Sequence, residues 1–229
     1  MSQAPIVSDS LWALIMKGTL IPNVENKQIF TYPRFNGNKI IVEWSITLDQ
    51  FKSIEKGNGG RAGIIPFFYH NFQRHYLLNI SNRDLVSDFG GGIKKKQKIY
   101  DGFLRELDEE IPKWKDELIR RLEDESARAS DNLIIHCVET IYLDKEEESK
   151  HPGLKHQILV ICQVDPSTLL YDNDKLIYEV GVAPSKEVTY LLTMVHSELV
   201  SFVTNPINNT RDEPTMNSGI HQFKRIYHL

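Results

Sequence analysis

Cysteine is scarce in this 229-residue chain: Cys137 and Cys162 each sit inside an apolar run, "LIIHCVET" and "HQILVICQVD". Thiols so placed are expected to be buried and free rather than paired or metal-bound, which suits a reducing compartment. No apolar run reaches the roughly 18 residues that a membrane-crossing helix needs. The amino terminus, "MSQAPIVSDSLWALIMKGTL", lacks a basic start and carries Asp9 ahead of a short apolar patch, unlike a signal peptide. The expectation is a soluble, cytoplasmic protein without a membrane partner. Excess positive charge is also missing: the net charge is -4 and the sequence pI near 6.1, so any contact with nucleic acid must be local. There is no internal repeat, no zinc spacing around His70 or His75, and no nucleophile-elbow context at Ser87 or Ser197. Matches to the glycosylation pattern at Asn79 and Asn208 read as chance.

What is present is a globular composition, 41% hydrophobic, ample for a core. The runs "KQIFTYP" and "KIIVEWSITL" flank "RFNGNK", where Asn36-Gly37 is a turn signal, so residues 27–48 should form a hairpin. "KGNGGRAG", from Lys56 to Gly63, reads as a loop, dividing an extension over 1–60 from a main domain over 61–229. In the extension, Trp12, Phe30, Tyr32, Phe35 and Trp44 should form a packing patch, or else one or two of them stack on a base. "AGIIPFFYH" and "RHYLLNIS" suggest a second antiparallel pair, with Pro66 at an edge or bulge. "NLIIHCVETIYL" and "HQILVICQV" are further strands around the charged loop "DKEEESKHPGLK". Val188, Leu191, Leu192, Val195 and Leu199 fit a helix, or a strand leading into a helix from about His196. The fold class is therefore α+β, a mixed sheet with flanking helices.

The stretch "DFGGGIKKKQKIYDGFLRELDEEIP" carries the chemistry. Ile99, Phe103, Leu107 and Ile111 recur every four residues and define an apolar helical side, while Glu106, Glu109 and Glu110 fall together on the neighbouring side. Like charges at that spacing cost roughly 0.2–0.5 kcal/mol per pair. Pro112 should end the helix near Glu110, where the negative end of its dipole opposes carboxylates by about 0.3–1 kcal/mol each. A hard divalent cation would relieve both costs, because it takes carboxylate oxygens. Gly90, Gly91 and Gly92 suggest a tight loop returning the chain onto this helix, with Lys94, Lys95 and Lys96 either solvated or facing phosphate.

At these residues the chain resembles the Nudix hydrolase family. Gly91 stands at the first glycine of that family's box, Arg105-Glu106-Leu107-Asp108-Glu109-Glu110 supplies its core at the family spacing, Gln97 replaces its first glutamate, and Pro112 its final glycine. The resemblance implies a Nudix fold over roughly residues 61–202, a mixed sheet between helices, and hydrolysis of a nucleoside diphosphate linked to another group, dependent on magnesium or manganese. It implies Glu106, Glu109 and Glu110 as metal ligands with Glu110 foremost, Arg105 as the residue that orients them, and Gly91, Gly92 and Lys94 on the substrate side. A further acid from a later loop is expected, with Glu146, Glu147, Glu148 and Glu187 as candidates.

The departures open a second reading. Gln97 keeps the size of glutamate without its charge. Pro112 suits the first turn of a new helix over about 113–127, read as an insertion that reshapes the pocket wall. A binding protein that holds a nucleotide or the mRNA 5' cap without cleaving it is therefore the alternative to the enzyme. Nothing in the pattern fixes an oligomeric state.

Overall fold

A computed structural model describes residues 31–36, 39–54, 60–81, 85–112, 114–142, 146, 156–165, 171–172, 175–176, 188–205 and 218–227. Trp12, Phe30, Glu147, Glu148 and Glu187 lie outside these residues, as do the side chains of Tyr32 and Phe35. The strands are β1 (Thr31–Asn36), β2 (Lys39–Ser45), β3 (Gly60–His70), β4 (Gln73–Ser81), β5 (Val86–Ser87), β6 (Phe89–Ile93), β7 (Leu133–Tyr142), β8 (His156–Gln163), β9 (Tyr171–Asp172), β10 (Lys175–Leu176) and β11 (Val188–Val195). All but the small β9–β10 ladder join one sheet of order β1-β2-β7-β8-β3-β4-β11, with β5 on β4 and β6 on β3. Only the β3–β8 pairing is parallel among the described ladders, so the sheet is mixed.

Five helices complete the described fold: α1 (Leu48–Ser53), α2 (Ile99–Glu110), α3 (Lys115–Ala127), α4 (His196–Thr204) and α5 (Ser218–Ile226). Strand alternation divides the core in two. Ala62, Ile64 and Phe68 of β3 join Ile158 and Val160 of β8 in a cluster with Phe103 and Leu107 of α2 and Leu118 and Leu122 of α3. Ile65 and Phe67 point the other way, to a cluster with Leu199 and Val203 of α4 and Ile220 and Phe223 of α5. The expected α+β architecture, a mixed sheet covered by helices, is what the chain adopts.

The hairpin pairs Asn36 with Lys39 and extends the sheet directly, since β2 lies against β7 along its whole length. Trp44 is buried in the helix-α2 core. The β3–β4 pair turns through Asn71 and Phe72, both at positive φ, as a two-residue hairpin turn demands. Val188–Val195 is a strand feeding α4 at His196, the second of the two alternatives for that segment. Cys137 and Cys162 are buried and free, and burial pushes the Cys162 thiol up to about 12. Asn79 is an interior strand residue, its amide donating to the Asp88 carbonyl at 2.9 Å.

Four expectations need correction. Pro66 marks no edge: β3 is interior, and Pro66 falls where its partner changes from β6, paired through Ile64, to β4, paired from Phe67. Gly60–Gly63 is not loop but the start of β3. The triplet Gly90–Gly92 likewise lies in β6, paired with Gly63, Ala62 and Arg61, and the turn falls in the lysines instead, with Lys96 at φ 68°. The helix after Pro112 starts at Lys115 rather than at the proline, because the Trp114 amide first closes a turn onto the Ile111 carbonyl at 3.0 Å.

Candidate functional site

Helix α2 brings the acidic residues to β6. Its apolar positions Ile99, Phe103 and Leu107 are fully buried, which fixes the helix's rotation on the sheet. Gly102 completes the fit, since a Cβ there would stand 2.4 Å from the Ile93 side chain. The rotation turns Glu106 and Glu110 inward, each 5% exposed, and leaves Asp108 and Glu109 in solvent.

The glycines of β6 make room for these carboxylates. A Cβ at Gly91 would come within 2.4 Å of a Glu106 carboxylate oxygen, so Glu106 occupies the space a side chain would take. Gly90 donates its backbone N–H to Glu110 Oε2 at 2.8 Å. A Cβ on Gly90, at φ 156°, would meet the Ala62 carbonyl at 2.3 Å. Glycine at 90 and 91 is therefore a condition of close approach across β3, β6 and α2. Gly92 has open space around its Cβ position and shows no such requirement.

Arg105 binds along the same edge. It pairs with Glu106, with Glu109 Oε2 at 2.7 Å, and donates to the Gly92 carbonyl at 2.8 Å. Gln97 turns into the lysine loop, where its Oε1 accepts the Lys94 N–H at 3.2 Å. The side chains of Lys94, Lys95 and Lys96 are exposed, as is Glu146.

Two residues of the cluster escaped the sequence reading. Arg61 of β3 and Asp88, just before β6, form a buried two-pronged pair, with Nη1 to Oδ2 at 2.7 Å and Nη2 on Oδ1. Burial opposes the Arg61 charge, but Asp88, with help from Glu110 and Glu106, outweighs it and holds the guanidinium above its ordinary value. Glu110 shows the opposite balance. Burial first, then the Asp88 and Glu106 charges, push its carboxyl up to about 8, against the Gly90 N–H and Arg61. The signal for Arg61 was weak: a lone arginine in a glycine-rich run, read as loop.

Glu106 and Glu110 thus offer buried oxygen donors whose charges repel, with Glu109 one turn along. Oxygen donors of this kind suit a hard divalent cation. Among the described residues no group of three Asp, Glu, His or Cys side chains converges as a metal site, and Arg105 pairs with Glu106 and Glu109.

Glu110 makes metal-free stability depend on pH. Its folded-state pKa of about 8 lies above the ordinary 4.5, so the folded protein keeps a proton that the unfolded chain gives up in between. Its stabilising contribution is full below about pH 4.5 and is lost as pH rises through about 8. Calorimetry in chelator should show that Glu110→Gln raises the melting temperature more at pH 9 than at pH 5. An equal effect at both values would contradict this.

No protein-family model and no curated protein matches the chain. Among solved structures it is similar to a C. elegans Ap4A hydrolase in a binary complex, at 14% sequence identity and a TM-score of 0.37, over 74% of this chain and 97% of that one. A likeness of that degree assigns no function.

Proposed function

We propose that the protein is a magnesium- or manganese-dependent hydrolase of the Nudix type, acting on a diphosphate linkage in a nucleotide derivative or in capped RNA. The observation that carries this reading is the burial of Glu106 and Glu110 together against the Gly90–Gly91 backbone, with Glu110 driven up to about 8 by burial and then by the Asp88 and Glu106 charges. Such an arrangement is costly unless a cation completes it.

In this reading Glu106, Glu109 and Glu110 would hold the ion, and Arg105, paired with Glu106 and Glu109, would orient those two carboxylates. A bound divalent ion would neutralise charge on the diphosphate and lower the pKa of the attacking water. Glu110, anchored by the Gly90 N–H, is the foremost ligand. Gly91, Gly92 and Lys94 border the substrate, with Lys94 on the exposed side where a phosphate can approach. Chromatography of products from a panel of nucleoside diphosphate derivatives and capped RNA, with magnesium, manganese or chelator, tests the reading and names the substrate class.

Gln97 supports the second reading, a protein that binds a nucleotide or the mRNA cap without cleaving it. Its side chain serves the Lys94–Gln97 turn and brings no charge to the carboxylate cluster. Retention of cap analogue with no product in magnesium would favour that reading. For an active but impaired enzyme, Gln97→Glu should raise the rate at saturating magnesium, because glutamate can accept the same Lys94 N–H while adding a charge. An unchanged rate would show that Gln97 does not limit turnover.

A further inference from the structure

The residue whose backbone holds Glu110 is itself held from the opposite face of the sheet, through the second of the two peptide groups that flank its Cα. Gly90 donates its N–H to Glu110 Oε2 at 2.8 Å, and its carbonyl accepts from Arg61 Nη2 at 3.3 Å. Arg61 alternates with Ala62 along β3, so its side chain leaves the sheet on the face that α5 covers, where Ile65 packs. There it meets Asp88, which is fully buried. The backbone of Asp88 is pinned as well, its carbonyl accepting from Asn79 Nδ2 and Ser87 Oγ, both at 2.9 Å.

The Asp88 carboxylate fills a slot between two glycines. A Cβ on Gly63 would stand 2.0 Å from Oδ2, and one on Gly219 would stand 2.2 Å from Cγ and Oδ1. Gly219 belongs to the first turn of α5, and the positive end of a helix dipole favours a carboxylate there. One line of contact thus runs from the start of α5 through Asp88, Arg61 and the backbone of Gly90 to Glu110.

Stability alone does not account for this pair. A buried ion pair is often no more stabilising than apolar residues of equal volume. What a guanidinium adds is direction: its planar fork fixes two bonds to one carboxylate and aims a further N–H, here at the Gly90 carbonyl. Metal ligands are commonly oriented by such outer partners, whose loss costs about 10–100-fold in metal affinity.

The geometry points to Arg61, Asp88 and Gly219 as a positioning unit: the carboxy-terminal helix, by seating Asp88, sets the Arg61 fork that fixes the Gly90 backbone through its carbonyl, and with it the N–H that orients the Glu110 carboxylate for the metal. This rests on the reading of Glu106 and Glu110 as ligands.

The test is manganese affinity of the full chain, read by electron paramagnetic resonance of the free ion, for wild type, Glu110→Gln, Arg61→Lys, Gly219→Ala and Leu199→Ala. Leu199 is buried in the α4–α5 core, so its truncation lowers stability without touching the pair. Arg61→Lys and Gly219→Ala should each weaken manganese about ten-fold, while Leu199→Ala lowers the melting temperature and leaves affinity unchanged. In unmodified protein, magnesium should shift the amide resonances of Gly90 and Gly219 and the Arg61 side-chain N–H signals. Wild-type affinity in Arg61→Lys and Gly219→Ala, or Arg61 and Gly219 signals that magnesium leaves in place, overturns the positioning role while the metal site stands. Manganese binding that Glu110→Gln does not reduce removes the metal site, and the positioning role falls with it.

Discussion

Glu110→Gln should lower metal-dependent turnover by at least about 100-fold, the effect of losing a few kcal/mol of transition-state stabilisation. The same change should raise the melting temperature of the metal-free protein at pH 8. Both effects have one origin. Glutamine keeps the shape of the side chain and an oxygen to accept the Gly90 N–H, now 2.8 Å from Glu110 Oε2. It removes a charge that burial, Asp88 and Glu106 all oppose. A residue that costs the folded state in the absence of metal and is needed for turnover in its presence is the signature of a ligand. Steady-state rates in magnesium, beside calorimetry in chelator, read the two effects on one protein. A variant that is slow but less stable than wild type would mean that Glu110 serves the fold, not the ion.

Asp88→Ala should lower stability by about 3–5 kcal/mol, because it leaves Arg61 charged and buried without its partner. Native domains hold only about 5–15 kcal/mol in total, so the variant should unfold at markedly lower urea concentration. The double change Asp88→Ala with Arg61→Met removes the stranded charge and should recover much of that loss. A single variant within about 1 kcal/mol of wild type would show that Arg61 finds another partner and that Asp88 is not what makes its burial tolerable.

Much of this site can be read in the sequence because it is built on one helix. The four-residue recurrence of Ile99, Phe103 and Leu107 sets the rotation of α2, and Glu106 and Glu110 then share an inward face by spacing alone, with Glu109 turned to solvent. The hairpin, the strands around Cys137 and Cys162 and the end of α2 follow equally local signals. What could not be read depends on partners distant in the chain. Glycines in sequence look like a loop; Gly63, Gly90 and Gly91 are strand residues of the β3–β6 ladder, where a Cβ would run into Asp88, the neighbouring backbone or Glu106. Nothing near Arg61 in the sequence points to Asp88, which meets it only through the β3–β6 register. Two short helices also carry local signals in the sequence. Thr47 and Gln50 form the capping box that starts α1, and Ile220 and Phe223 lie a helical turn apart on α5.

The most direct measurement is phosphorus NMR of a cleaved diphosphate substrate after turnover in isotopically labelled water, with magnesium and with chelator, for wild type and Glu110→Gln. A metal-dependent hydrolase at this site incorporates the label into one phosphate product in magnesium, and neither the chelated wild type nor the variant does so. Labelled product at equal rates from both proteins, or in chelator, would contradict a reaction carried by the Glu106–Glu110 face of α2.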